Sequence, residues 1–446
     1  MTRSKTYYLL SLGCPKNEVD AECMSYILQD SGYQFVAEPQ SADFLIINTC
    51  GFIDAAKMEA IEATLDLAEL KGPNSKLVLT GCLPQRFMRE IYTDLPEVDA
   101  CIGTAEYEQI AEVLDALAEG RFERRSRPLP PGSLAHLSRG RKISRDRFFA
   151  YQKVAEGCSN NCAFCAIPGI RGPLRSRDLA ELLDEAKQIS DEGFRELILV
   201  AQDTARYGTD LKQKSSLAEL LKLYLRETEL AWIRTMYTYG DAITPELIEL
   251  MASEERLVPY LDMPIQHASD NVLARMRRKE RKADIIRTME SLRSKIPQLS
   301  LRSTILIGFP GETEDDIKEL LEFIEEHPFD RLGCFQFSAE EKTPAYRMSD
   351  PVPPELAAER VARVMELQAK IARERARARI SSKTRLLVEG IAEDGIFYQA
   401  RSTAEAPEID PVIYLLNESG VDLELGDFVE AEIIDINGYD LTAKTV

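Results

Sequence analysis

The chain has no uncharged apolar run of about twenty residues, which excludes a helical membrane span. Its start, MTRSKTYYLLSLGC, is basic and then briefly apolar. The apolar run is too short for a signal h-region, and no small-residue cleavage site follows it. It reads as a first β-strand in a cytoplasmic protein. Positive charge is in deficit, with 55 Lys and Arg against 75 Asp and Glu and a net charge of −20. Nucleic-acid binders ordinarily carry a basic footprint, so this balance favours a basic protein partner or small molecules. Only three histidines occur, His136, His267 and His327, and internal repeats are absent from the sequence.

Nine cysteines are present. In a cytoplasmic chain they point to metal binding or catalysis rather than structural disulfides. With 446 residues and 44% hydrophobic content, there is material for two to four domains. In residues 5–118, TYYLLSLG, FLIINT and KLVLTG read as buried parallel strands separated by helical stretches such as Val19–Ser31 and Ala55–Leu70. That pattern is an open parallel α/β sheet. Residues 119–147 carry prolines, glycines and nine Arg or Lys between 121 and 147, without apolar periodicity, and read as a solvated linker. From 148 to 380 six βα units follow, with strands FFAYQKVA, ELILVAQ, AWIRTMY, VPYLDMP, LSLRSTILIG and RLGCFQF, ending in a helix over Pro354–Ile380. This fits a partial (β/α)6 TIM-like barrel. In residues 383–446, five short strands separated by turns describe a small all-β, OB-like barrel. The fold class is therefore α/β multidomain.

Cys158, Cys162 and Cys165 form a C-x3-C-x2-C triplet within EGCSNNCAFCAIP. The triplet follows the first barrel strand, at the carboxyl end where such barrels place their chemistry. Gly157, Ser159, Asn160 and Asn161 suit a loop that wraps a compact object. Thiolates ligate iron–sulfur clusters, and three of them on a four-iron cubane leave one iron open, as a catalytic site requires. A redox pair would leave Cys158 unexplained, and zinc would need a fourth ligand that no nearby histidine offers. Cys14, Cys50 and Cys82 each end an apolar strand: LLSLGC, LIINTC and LVLTGC. The carboxyl ends of an open parallel sheet share one ligand-binding edge, so these three thiols predict a second three-cysteine cluster. Cys23, Cys101 and Cys334 read as packing residues.

The pattern resembles the methylthiotransferases of the radical S-adenosylmethionine (SAM) type. The resemblance rests on SLGCPKNEVDAE and NTCGFIDAAKMEA near the amino terminus. In the central region it rests on EGCSNNCAFCAIP, with Phe164 just before the last cysteine, on YLDMPIQHASDNVLARMRR, and on STILIGFPGETEDD. It runs over nearly the whole chain. It implies an N-terminal cluster domain, a radical SAM core and a C-terminal TRAM domain. It also implies two [4Fe-4S] clusters, SAM bound to the open iron, one-electron reduction and release of a 5′-deoxyadenosyl radical. An electron donor and a sulfur source are further implied. Phe164, Gln202, Arg302 and Gly308 are the candidate SAM contacts.

Members of the family modify either adenosine in transfer RNA or the β-carbon of an aspartate in small-subunit ribosomal protein twelve, free or in the ribosome. Pro15-Lys16-Asn17 after Cys14 and the stretch FQFSAEEKTPAYRM resemble the protein-modifying branch, with the tRNA enzyme as the alternative. The last domain carries fourteen Asp or Glu and four Lys or Arg, a net charge of −10. RNA contact through such a domain is disfavoured, because phosphate neutralisation dominates RNA affinity. One departure from the family pattern is Lys342, which stands where glycine is expected.

Overall fold

The structure is a computed structural model that describes residues 5–418, 420 and 422–446. Five parallel strands form the first sheet: β1 (Thr6–Ser11), β2 (Gln34–Phe35), β3 (Phe44–Thr49), β4 (Lys76–Gly81) and β5 (Ala100–Ile102), in the order β2-β1-β3-β4-β5. The order reverses between β1 and β3, and such switch points are where open sheets bind ligands, at the carboxyl ends. β3 is buried along its whole length, as a central strand covered on both faces must be. Two apolar layers cover it, one around Met24, Phe44 and Ile110, the other around Leu45, Leu77 and Leu83.

Two of the helices connecting these strands begin where cysteines stand. α1 (Pro15–Asp30) starts directly after Cys14, four residues earlier than the Val19 expected from periodicity. Proline at the first helical position fits that start, since its missing N–H is unpaired there anyway. α2 spans Asp54–Glu69, and α3 spans Cys82–Asp94.

The central sheet is six-stranded and parallel: β6 (Phe149–Lys153), β9 (Glu196–Val200), β10 (Trp232–Thr235), β11 (Leu257–Asp262), β12 (Ser300–Ile307) and β13 (Arg331–Gln336). A two-residue pair, β7 (Ala155–Glu156) and β8 (Arg175–Ser176), lies between β6 and β9. β6 and β13 do not pair among the described residues, so the barrel is open on one side. The outward residues Leu301, Ile305 and Ile307 of β12 pack into the large core under the helices, whereas Arg302, Thr304 and Leu306 face the lumen and are half-buried. The final helix runs Pro354–Ala378.

β14 (Lys383–Ile391), β15 (Tyr398–Arg401), β16 (Ile413–Leu416), β17 (Phe428–Asn437) and β18 (Asp440–Thr445) close into a five-stranded barrel around Leu386, Ile413 and Ile433. One apolar cluster joins all three parts. Val19 and Cys23 of α1 meet Phe149, Tyr151, Trp232 and Tyr260 of the central lumen, together with Leu387 and Ala406 of the last barrel. The last barrel docks at the amino ends of the central strands, where Arg331 and Arg379 hold Glu405 and Arg401 holds Glu196.

The linker differs from the solvated connector expected of it. Arg141 donates to Glu22 (3.0 Å) and is ion-paired with Glu185 (2.8 Å), Arg147 pairs with Glu18 and Glu22, and His136 and Leu137 are buried. Its basic residues are therefore a strap across α1 and the central barrel. Their partners lie far away in sequence, where periodicity carries no signal. Among the described residues, no helix is long and apolar enough to cross a membrane.

Candidate active site

Cys14, Cys50 and Cys82 come together at the switch edge of the first sheet. Cys14 is the N-cap residue of α1, Cys50 follows β3 directly, and Cys82 opens α3. Two helix amino ends thus face the triad, an orientation that favours negative charge on sulfur. Gly13 has φ +93°, and a Cβ there would stand 2.7 Å from the Cys50 Cβ, so only glycine lets these two strand ends approach. Asn17 ties the edge together: its amide donates to Leu12 O (3.1 Å) and Thr49 O (3.0 Å). Its own carbonyl accepts from Asn48 (2.6 Å). Burial pushes the Cys50 thiol up to about 12, reinforced by Cys82 and Cys14.

The second triad sits at the carboxyl end of β6. Gly157 has φ +79°, and a Cβ would lie 2.1 Å from Pro173 O. The loop is held by Cys158 N–H to Gly172 O (3.1 Å) and Ala163 N–H to Met276 O (2.9 Å). Asn160 bridges it to the next strand end, donating to Asp203 (2.8 Å) and accepting from Arg206 (3.0 Å). Burial raises Cys165 to about 12, with Cys162 and Cys158 adding to it. Arg278 lies beside Cys162, stacked 4.3 Å from the centre of the Tyr239 ring and paired with Glu280 (3.0 Å). A cleft of about 400 Å³ separates Cys162 and Cys165 from Gln85, Arg86 and Phe87 of α3.

The two triads share a buried charge network. Arg171 donates to the Cys82 sulfur (3.3 Å) and to Asn17 Oδ1 (2.6 Å), and pairs with Asp20 (2.6 Å) and Glu156 (2.9 Å). Lys153 pairs with the same two carboxylates, at 2.5 and 2.7 Å. Burial alone would raise the Asp20 carboxyl, but Lys153 and Arg171 outweigh it and hold it below the ordinary range. Glu156 precedes Cys158 by two residues, so one guanidinium reaches from the Cys82 sulfur to a carboxylate at the base of the second loop.

The remaining candidates fall in different places. Phe164 packs with Phe309, Val272 and Met276 between the cysteine loop and the turn after β12. Gln202 donates to Glu156 (2.8 Å), while its Oε1, like Asp203 Oδ1, is buried and accepts no hydrogen bond. Two orphaned acceptors at this rim suit a ligand that brings N–H or O–H donors. Gly308 has φ +83°, but its close neighbour is Ala357, 2.8 Å from a would-be Cβ. The helix Pro354–Ala378 thus covers that side of the buried glycine. Arg302 is drawn to Asp262 (3.6 Å) and Asp410 (3.5 Å), near the amino end of β12. No contact joins it to the cysteine loop among the described residues. Lys342, at the family's glycine position, adopts φ +66°, the left-handed conformation that glycine favours. Tyr237, at the end of β10, is also left-handed, with φ +59°, which costs about 1–3 kcal/mol in a bulky residue. Its N–H is held by Asp262 (3.2 Å) and its carbonyl by Thr204 (3.0 Å).

The other cysteines stay apart from both triads: Cys23 is in the lumen cluster, and Cys101, in β5, packs with Leu79 and Val98. Among the described residues, no three His, Cys, Asp or Glu close around a single metal ion. Thiolates of a multi-iron cluster sit on different irons and stand further apart. The sequence carried Asn17 and Arg278 inside its motifs without revealing their roles. Arg171 had no signal beyond its nearness to the triplet.

Models of three families match the chain: Uncharacterized protein family UPF0004 over residues 6–103, the Radical SAM superfamily over 153–324, and the TRAM domain over 380–446. Among solved structures, the radical SAM methyltransferase TsrM from Kitasatospora setae is similar in fold. Its TM-score is 0.56 at 12% identity, covering 77% of this chain and 74% of that one. The cobalamin-dependent radical SAM enzyme OxsB gives a TM-score of 0.52 at 13% identity, over 82% and 56%. Curated relatives are far more similar in sequence. The ribosomal protein uS12 methylthiotransferase RimO of Desulforudis audaxviator is 46% identical over 98% of this chain and 96% of its own. Its namesake from Clostridioides difficile is 43% identical over 97% of each, and that from Geobacter sulfurreducens is 41% identical over 98% of each. Identity of this order over the full length of all three parts establishes that the chain belongs to the family of ribosomal protein uS12 methylthiotransferases.

Proposed function

We propose that this chain adds a methylthio group to the β-carbon of an aspartate in ribosomal protein uS12, in the cytoplasm, with two [4Fe-4S] clusters and SAM. Cys14, Cys50 and Cys82 would hold one cluster, and Cys158, Cys162 and Cys165 the other. The observation that carries this reading is the pair of thiol triads joined through Arg171, one at a sheet switch point and one at a barrel rim. When bound, these groups supply a carbon-centred radical able to take hydrogen from an unactivated carbon, and sulfur for the new bond.

The chain's own residues bind, orient and exclude water. Gln202 Oε1 and Asp203 Oδ1 would accept from the ammonium or hydroxyl groups of SAM, and Phe164 with Phe309 walls the rim with apolar surface. The backbone turn at Gly308 follows that wall. Arg302 would hold the SAM carboxylate only by exchanging Asp262 or Asp410 for it. Arg171 and Arg278 set positive charge beside ligand thiols of each triad, which favours anionic sulfur.

The tRNA alternative is not favoured, since these full-length relatives are named for uS12. The acidic last barrel supports a basic protein partner over RNA. Mass spectrometry of uS12 from a deletion strain of the source organism tests this. The aspartate should lose the mass of one methylthio group and regain it on complementation. An unchanged uS12, with transfer RNA losing the group instead, refutes the assignment.

A further inference from the structure

Lys16 lies two residues after Cys14, in the first turn of α1, and is buried at 9% exposure. Its ammonium stands 3.2 Å from the centre of the Tyr237 ring. That ring is held in place by the constrained backbone at the end of β10, on the same rim as the Cys158 loop. The other buried cations around the two triads all have carboxylate partners. Lys153 and Arg171 share Asp20 and Glu156, and Arg278 has Glu280, while the half-buried Arg302 has Asp262 and Asp410. Lys16 has no such ion pair among the described residues. Asp262, the one carboxylate that acts on it, is beyond ion-pair distance and is engaged by Arg302 and the Tyr237 N–H.

The Lys16 ammonium faces the Tyr237 side chain and the Cys14 thiol but no paired carboxylate, and an arriving carboxylate would supply one. The cation–π contact with the ring favours this position of the charge by about 0.5–2 kcal/mol. The substrate read above brings such an anion. Its carboxylate is bonded to the very carbon that is modified, so a group that grips the carboxylate also positions that carbon. Lys16 stands where the triad of Cys14 meets the barrel rim. We propose that Lys16 binds the side-chain carboxylate of the substrate aspartate and thereby selects aspartate and sets its β-carbon between the two triads. This rests on the uS12 reading.

The test uses the full-length, iron-loaded enzyme with purified uS12 and with uS12 in which the modified aspartate is Asn. Wild type should bind the Asp form about tenfold or more tightly than the Asn form, the scale of a charge-assisted contact. Lys16→Met should bind both forms alike, and Lys16→Arg should restore much of the preference. Iron content and melting temperature report whether each variant is folded and loaded. A wild type that modifies uS12 yet binds both forms equally overturns the proposal whatever the variants do. So does a folded Lys16→Met that keeps the preference. A wild type that places no methylthio group on uS12 overturns the substrate reading, and the proposal with it.

Discussion

Arg171 links the two halves of the site, since it holds the Cys82 sulfur with one nitrogen and Asp20 and Glu156 with the other. Removing Arg171 from this buried network leaves Asp20 and Glu156 to share Lys153 alone, at a cost approaching the roughly 3–5 kcal/mol of a broken buried pair. Arg171→Met should therefore destabilise the iron-free chain by about that amount in urea unfolding. It should also shift the first cluster's reduction potential downward, because a positive hydrogen-bond donor to sulfur favours the reduced state. Arg171→Lys should recover part of the potential, and an unchanged potential in both variants would count against the contact. His267 gives a pH prediction. Burial pushes it down to about 4 from the ordinary 6.5, with Asp316 opposing and Arg360 reinforcing, and its ring accepts from Ser269 N–H (2.9 Å). Above pH 6.5 the ring is neutral in both folded and unfolded chains and contributes no pH dependence. Between 6.5 and 4 the unfolded chain takes up a proton that the folded chain refuses. Stability should thus fall by about 3 kcal/mol across that window, and His267→Gln should flatten this part of the profile. Equal slopes in both proteins would contradict it. At this scale the six thiols were legible because each triad repeats a local pattern. Asn17 and Arg171 were not, because their contact closes 154 residues of chain.

The elements that carry the thiols are short loops held by backbone geometry. Gly157 has a left-handed φ and faces Pro173 O so closely that a methyl cannot fit. Gly157→Ala should therefore open the second loop and leave the first intact. Reconstituted wild type should hold about eight irons and this variant about four, by cysteine supply. Gly169→Ala, at a site with no neighbour within 4 Å and no left-handed φ, should load like wild type. Iron analysis checks both, and a fully loaded Gly157→Ala would show that the turn is not required. Strand identities were readable from apolar runs, and both the partial barrel and the closed five-stranded barrel follow from them. Pro15 and Lys16 carry no apolar periodicity, so the pattern places the start of α1 at Val19, whereas the cap at Cys14 sets it. The burial of the strap over Arg141 and Arg147 is invisible to patterning, because a basic, proline-rich run looks the same whether or not it finds acids.

For the whole molecule, patterning predicted three folded parts but not how they meet. The last barrel packs at the amino ends of the central strands, away from the cysteine loop, so its acidity acts on a partner at a distance from the chemistry. Glu424 and Glu430 are exposed there, whereas the Asp427 carboxylate accepts the Glu424 N–H (3.0 Å) and shapes its own turn. Replacing Glu424 and Glu430 with Lys should slow association with uS12 and reduce its dependence on salt, while an unchanged association rate would remove the barrel from recognition. We propose that the two thiol triads divide the labour, the barrel triad serving SAM cleavage and the sheet triad serving sulfur transfer. The most direct measurement follows 5′-deoxyadenosine and methylthio-uS12 together in reduced wild type, Cys50→Ala and Cys162→Ala. Wild type should make both, Cys50→Ala only 5′-deoxyadenosine, and Cys162→Ala neither. Methylthio product from Cys50→Ala, or loss of SAM cleavage in Cys50→Ala with its barrel cluster still loaded, would contradict the account.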